Sequence, residues 1–326
     1  MQLPLQMQSK HRKLVLRCLL VLPLILLVDY CGLLTHLHEL DFERHFHYPL
    51  ETDSSGSSGL EKFSYLRVPS FQAEEQPPRL TLLIKSAVGN VQRREAIRRT
   101  WGYEGRFSDV QLRRIFLLGQ SALGGEKDVA WESREHGDIL QADFADSYFN
   151  NTLKTMLGMR WASQQFNRSD FYLFVDDDYY VSAKNVLRFL GRGRRSHQPE
   201  LLFAGHVFQT SPLRHKFSKW YVSLEEYPFD RWPPYVTAGA FVLSRKALLL
   251  LYATSLHLPL FRFDDIHLGI VALKAGIPLQ HCEDFRFHRP NYRGPDSYAS
   301  VIASHEFGDP AEMSRVWNEC RSANYA

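Results

Sequence analysis

The run Leu80-Thr81-Leu82-Leu83-Ile84-Lys85-Ser86 has almost no polar interruption, as a strand covered on both faces requires. Two more such runs follow, Arg114-Ile115-Phe116-Leu117-Leu118-Gly119 and Phe171-Tyr172-Leu173-Phe174-Val175. Between them lie helical stretches, a basic one from Arg93 that closes on Gly102 and a second from Leu153 to Phe166. Strands alternating with helices fold as an α/β domain around a mainly parallel sheet. Such sheets bind ligands in crevices at the carboxyl ends of their strands, so the residues after each run are where chemistry is expected.

At 326 residues, 44% hydrophobic and 13% aromatic, the chain can bury a large core and is not disordered as a whole. A net charge of +3 with no long Lys/Arg block argues against nucleic acid as a partner. No internal repeat of solenoid or propeller period is present.

The N-terminus speaks to location. Lys10, Arg12 and Lys13 precede an apolar run from Leu14 to Val28 that continues weakly to Leu34. Residues 14–34 reach the roughly 20 residues a bilayer requires only by including Arg17 and Asp29 near the ends. The reading is a cytosolic tail at 1–13, an uncleaved transmembrane signal anchor at 14–34 and a lumenal remainder; the uncharged core from Cys18 to Val28 also fits a signal peptide in length. Residues 35–78, which include Glu51-Thr-Asp-Ser-Ser-Gly-Ser-Ser-Gly59, read as a stem, and 79–326 as the lumenal catalytic domain. Asn150 and Asn167 begin glycosylation sequons. Cys282 and Cys320, the two cysteines beyond the anchor region, are free to bridge in an oxidising compartment or to stay buried thiols.

The third strand candidate runs straight into Asp176-Asp177-Asp178. Three adjacent carboxylates on a rigid platform call for a cation, and Mn²⁺ or Mg²⁺ held with substrate phosphates suits them. The alternative is an acidic turn that caps the next helix. A second pair, Asp264-Asp265, opens the apolar stretch Ile270-Val271-Ala272-Leu273. There one carboxylate is either a general base or ordinary first-turn dipole chemistry.

These segments together resemble the β-1,3-glycosyltransferases, which include β-1,3-galactosyltransferases, β-1,3-N-acetylglucosaminyltransferases and, more distantly, the Fringe proteins. The resemblance runs over about residues 80–320. It rests on Arg94-x-x-Ile97-Arg98-x-Thr100-Trp101-Gly102, Glu135-x-Gly137-Asp138-Ile139-Leu140, Asp143-Phe144-x-Asp146-Ser147-Tyr148, the triple Asp, Ala238-Gly239-Ala240-Phe241-Val242, Asp264-Asp265 and His305. It implies a GT-A nucleotide-sugar-binding fold with a mostly parallel sheet, on a Golgi membrane in type II orientation. It also implies an inverting, Mn²⁺-dependent transfer of N-acetylglucosamine from UDP-GlcNAc to a β-linked mannose of a glycosphingolipid. UDP-galactose as donor and an inactive glycan-binding relative remain as alternatives. By motif, Asp265 is the implied base, Asp178 and His305 the metal ligands, and Arg94, Arg98, Lys154, Asp176 and Asp177 the donor-side residues. The aromatic residues Trp220, Tyr221, Tyr227, Trp232 and Tyr235 either stack on acceptor rings or pack a core.

Overall fold

The computed structural model describes residues 21–48, 59–70, 77–121, 123–166, 168–192 and 200–326. The expected cytosolic tail, residues 14–20 of the expected anchor and the Asn167 sequon lie outside them. Two compact units result: one is formed by the chain up to His47 with Gln209–Trp232, the other by Tyr48–Phe208 with Pro233–Ala326.

In the smaller unit, helix α1 covers residues 21–30 and a short α2 covers Phe42–His45. Asp41 caps α2 by accepting from the Arg44 N–H, and Leu40 forms a bridge with Phe229. Among the described residues no helix is long and apolar enough to cross a membrane.

The larger unit is built on an eight-stranded sheet. Its strands are β1 (Tyr65–Arg67), β2 (Leu80–Lys85), β3 (Leu112–Gln120), β4 (Ile139–Ala145), β5 (Phe171–Asp176), β7 (Phe203–Phe208), β8 (Tyr235–Ser244) and β9 (Leu279–His281), ordered β1-β4-β3-β2-β5-β8-β7-β9. A small second sheet orders β10 (Phe285–Arg286), β11 (Ala303–Ser304) and β6 (Tyr180–Val181). The helices are α3 (Val91–Arg99), α4 (Glu126–His136), α5 (Asn151–Gln164), α6 (Ala183–Arg192), α7 (Arg245–Ser255), α8 (Asp264–Ala275) and α9 (Pro310–Ser322).

Every residue of β2 is buried, because the sheet is covered on both sides. Leu80, Leu82 and Ile84 share one core with Ile97 of α3, Val186 and Leu190 of α6, and Val316 and Trp317 of α9. On the opposite face α5, α7 and α8 pack together. There Gly158 of α5 lies so close to the sheet that a Cβ would stand 2.7 Å from Leu117. Helix α8 ends on Gly276, whose φ of 65° suits a residue without a side chain.

The expectation of a mostly parallel sheet needs correction: the sheet is mixed. β2 pairs in parallel with β3 and β5, and β3 with β4. β8 runs antiparallel to both β5 and β7. The chain re-enters the sheet at Tyr235 from the end where β5 finishes, so β8 must travel backwards along β5. The segment read as a stem also carries structure: β1 pairs with β4 at the sheet edge, and Arg160 of α5 donates to the carbonyls of Leu60 and Phe63 at 2.7 and 2.8 Å.

Candidate active site

The parallel register sets Lys85 beside Asp176 at the carboxyl ends of β2 and β5. The Lys85 ammonium is 2.9 Å from Asp176 and 3.0 Å from Asp264, with its side chain 4% exposed. An unpaired ammonium there would cost several kcal/mol, at least on the order of the desolvation of one ion. The two carboxylates resolve it. Burial alone would lower the Lys85 pKa, but Asp176 and Asp264 outweigh it and raise it. Asp264 accepts a further bond from the Thr155 hydroxyl at 3.0 Å. One lysine thus ties the triple-Asp turn to the first turn of α8.

Asp265 is the half-buried neighbour. Its Oδ1 accepts from the Ile266 N–H at 2.8 Å. Burial first, and then the charge of Asp264, push its carboxyl up to about 7. That value suits a group that must take up and release a proton near neutrality. Neither acid caps α8, whose N-cap is Phe263 with no side-chain bond. The capping alternative for the triple Asp is not realised either, since the Ser182 hydroxyl accepts from the Asn185 N–H at the start of α6.

Asp176, Asp177 and Asp178 have three different environments. Asp176 leaves its side chain 34% exposed, and burial, opposed by Lys85 and assisted by Asp178, pushes its carboxyl up to about 6. Asp177 is saturated: Ser86 and Asn90 donate to Oδ2 at 2.6 and 2.9 Å, and Arg93 donates to Oδ1 at 2.9 Å. Asp178 keeps Oδ1 buried without a partner, while His305 Nε2 faces its Oδ2 at 3.5 Å. Burial would raise Asp178, yet His305 holds it below the ordinary carboxylate value. The facing Asp178 carboxylate in turn raises His305.

The loop carrying His305 is fixed. His305 stacks on Tyr179 with ring centroids 5.0 Å apart, and the Phe307 N–H donates to the Asp178 carbonyl at 2.8 Å. Between them Glu306 adopts φ 68°, a left-handed conformation that a non-glycine residue holds only under constraint. Tyr179 is itself packed on β8: a Cβ on Gly239 would lie 2.1 Å from its hydroxyl.

A divalent cation fits this geometry in a limited way. Among the described residues no group of three or more His, Cys, Asp or Glu is arranged to hold a metal ion. The bare Asp178 oxygen and the facing His305 nitrogen are a two-ligand set, which suits an ion whose other ligands are substrate phosphates and water.

The structure places most of the expected donor-side residues in buried ion pairs. Arg94 is fully buried and grips Glu132 with two bonds of 2.8 and 2.7 Å, with further bonds to Ser86 Oγ and the Ala87 and Val88 carbonyls. Arg98 makes a bidentate pair with Asp138 at 2.9 and 2.8 Å. Lys154 donates to the Ser86 carbonyl and to Asp146, at 2.5 and 2.7 Å. Arg94 and Lys154, with Asp177, brace the loop after β2, while Arg98 ties α3 to Asp138 and Glu132. Only Asp176 of the expected donor set stays half-exposed at the site. Of the aromatic candidates, Tyr227 and Trp232 are core, packed 4.2 Å apart in the smaller unit.

Cys282 and Cys320 are not bridged: both border the same core cluster, but Cys320 is turned toward Tyr180 and Tyr292. At the Asn150 sequon the asparagine amide donates to the Ala145 carbonyl at 2.8 Å and the Thr152 hydroxyl to that of Phe261 at 2.7 Å. The residues that reading the sequence passes over are Lys85, Ser86, Asn90, Arg93 and Thr155. Lys85 carried a signal: a lysine ending a strand read as buried on both faces requires an anionic partner.

Residues 92–283 match the family model described as Galactosyltransferase. The match takes in both acidic clusters but neither Lys85 nor His305. Beta-1,3-galactosyltransferase brn of Drosophila melanogaster is 85% identical over 326 residues, 98% of this chain and all of that one. Human Beta-1,3-galactosyltransferase 5 is 34% identical over 67% of this chain and 70% of its own length. Mouse Beta-1,3-galactosyltransferase 1 is 32% identical over 81% and 80%. Solved glycosyltransferases align more distantly; galactosyltransferase LgtC in complex with donor and acceptor sugar analogs is 11% identical over 75% of this chain and 94% of that one, at TM-score 0.37, and nothing below rests on that likeness.

Proposed function

This chain belongs to the galactosyltransferase family, and we propose that it is an inverting β-1,3-N-acetylglucosaminyltransferase of GT-A type that moves N-acetylglucosamine from UDP-GlcNAc to a β-linked mannose of a glycosphingolipid. The observation that carries the reading is that Lys85, by bonding Asp176 and Asp264, ties together two turns whose neighbouring acids, Asp178 and Asp265, are unlike. Asp178 is held ionised beside His305, while Asp265 titrates near neutrality. Environments that push two carboxyls apart in this way assign a charge-binding role to one and proton transfer to the other.

In this mechanism Asp178 and His305 would hold a divalent cation such as Mn²⁺, which as a Lewis acid offsets the charge growing on the departing diphosphate. The loop Ser86-Ala87-Val88, braced by Arg94 and Lys154, presents a fixed backbone at the strand ends. Asp176 is the acid available to a donor hydroxyl. Asp265 accepts the proton of the acceptor 3-hydroxyl as that oxygen attacks the face of the anomeric carbon opposite UDP. One displacement turns an α-linked donor into a β-linked product, and no covalent sugar–enzyme intermediate forms. Asp264, fixed by Lys85 and Thr155, keeps Asp265 oriented at the start of α8.

A second reading keeps the chemistry and changes the sugar. The relatives are named β-1,3-galactosyltransferases, which favours UDP-galactose. We further propose that residues 14–34 anchor the protein in the Golgi membrane with the catalytic domain in the lumen. Incubating the purified full chain in detergent with UDP-GlcNAc, UDP-galactose and other UDP-sugars, and with β-mannosides, tests the assignment. GlcNAc in β-1,3 linkage is expected; galactose transfer alone would replace the donor, and no transfer from any UDP-sugar would remove the function.

A further inference from the structure

The segment 213–221 of the smaller unit displays large apolar side chains on a framework too rigid for their exposure to be incidental. Phe217 is 62% and Trp220 46% exposed. Arg214, between them and the core, is fully buried. It donates to the carbonyls of Val222, Ser223, Tyr227 and Phe229 at 2.8 to 3.1 Å and to Glu39 at 2.7 Å. The ends of the segment are closed by a Leu213–Tyr221 bridge and a bond from the Val222 N–H to the Leu213 carbonyl at 3.0 Å. A short loop closed on itself and pinned from inside holds its outward side chains where they are.

The same loop is fastened to the end of α1. The Lys216 ammonium is 2.7 Å from Asp29, and the Lys216 backbone N–H donates to the Tyr30 carbonyl at 3.0 Å. Tyr30 and Phe217 have ring centroids 5.8 Å apart. Gly32 lies against the Arg214 backbone so closely that a Cβ would be 2.5 Å from it. α1 presents Val21, Leu22, Leu24, Ile25, Leu26 and Leu27, each about half-exposed. At its polar end Tyr30 meets Phe217 and Lys216, and Lys219 and Trp220 follow in the same closed loop, the lysine ammonium 4.4 Å from the Trp220 ring centre. Aromatic rings with one wet edge and lysines on long stems are the residues that settle at a membrane–water boundary.

We propose that loop 213–221 is a bilayer-contact collar, in which Phe217 and Trp220 enter the headgroup–acyl boundary of the leaflet where α1 emerges, Lys219 meets lipid phosphates and Lys216 holds the loop to Asp29 of α1. The proposal rests on residues 14–34 being a membrane anchor. It adds a second, folded contact that fixes how the smaller unit lies on the membrane. The occupant is lipid, because the apolar surface of α1 continues directly into the exposed rings.

The test uses the full chain in phosphatidylcholine vesicles with brominated acyl chains, which quench tryptophans at the boundary. The remaining tryptophans are buried except Trp131, 60% exposed on α4. Bromolipid quenching is expected in the wild type and in W131F, and is expected to fall by more than half in W220F (about twofold or more, as for loss of the one boundary tryptophan). Circular dichroism of W220F confirms that it is folded. Release of the wild-type chain by an alkaline wash would sink the anchor and the collar with it. Retention of the chain with quenching unchanged in W220F would sink the collar alone. Equal quenching together with loss of transfer to a soluble acceptor in W220F would give Trp220 to the acceptor instead.

Discussion

Replacing Lys85 with methionine removes a cation shared by the two acidic clusters. Lys85 sits 2.9 Å from Asp176 and 3.0 Å from Asp264, and both its own side chain and that of Asp264 are mostly buried, at 4% and 11% exposure. Breaking a buried ion pair from one side costs about 3–5 kcal/mol. Asp176, 34% exposed, is partly rescued by water, so the lower end, about 3 kcal/mol, is expected at pH 8. The pH dependence follows from the direction of the shifts. Asp176 already titrates at about 6, above its unfolded value, because burial and Asp178 outweigh Lys85. Loss of Lys85 raises it further. A carboxyl whose folded pKa is raised destabilises the fold fully above that pKa, and the penalty fades as pH falls through it. The deficit of Lys85→Met should therefore shrink by about 1.4 kcal/mol for each unit by which the lost cation had lowered Asp176, leaving about 1–2 kcal/mol at pH 5. Urea unfolding of wild type and variant at pH 5 and pH 8, compared through midpoints at unchanged slope, measures it. An equal deficit at both pH values, or none, would refute the bridging role of Lys85.

Four further outcomes are expected. Since Asp265 must be ionised to accept a proton and titrates at about 7, kcat/KM should fall about tenfold per unit as pH drops below 7; a profile flat down to pH 5 would contradict it. EDTA should abolish transfer and Mn²⁺ restore it, and His305→Ala should raise the Mn²⁺ needed for half-activity. Arg94→Met should lower stability by about 3 kcal/mol, read by urea unfolding, because it leaves buried Glu132 with Arg98 as its remaining cation and releases the Ser86 loop. Gly269→Ala should cost about 1–3 kcal/mol by overpacking and reduce kcat, since its Cβ would meet Tyr235 Cβ at 2.8 Å and the Pro234 carbonyl at 3.0 Å and push α8 away from β8.

What the sequence discloses and what it hides follow a physical division. The strand runs at 80–86, 114–119 and 171–175 coincide with β2, β3 and β5 to within two residues, because burial on both faces leaves a continuous apolar record. The helix opened by Asp264-Asp265 and closed near Gly276 is equally legible from its ends. Strand direction is not: nothing in Tyr235–Ser244 distinguishes a strand running forward from one running back, and the sheet proves mixed. At the site, the acids show because carboxylates after a strand are rare. The cations Arg94, Arg98 and Lys154 share one composition whether they face a diphosphate or brace a core, and only the positions of Glu132, Asp138 and Asp146 decide. Pairing across distance is what a linear pattern lacks, as Lys85 with Asp264 and Asp178 with His305 both illustrate.

The most direct measurement pairs UDP affinity with turnover in Asp265→Asn. Asp265 is not one of the two proposed cation ligands, so calorimetric binding of UDP in the presence of Mn²⁺ should match the wild type. Transfer to the acceptor hydroxyl should drop by about 10²–10⁴-fold, the usual worth of a positioned general base. Turnover at the wild-type rate, or UDP affinity lost in step with activity, would mean that a different group takes the proton.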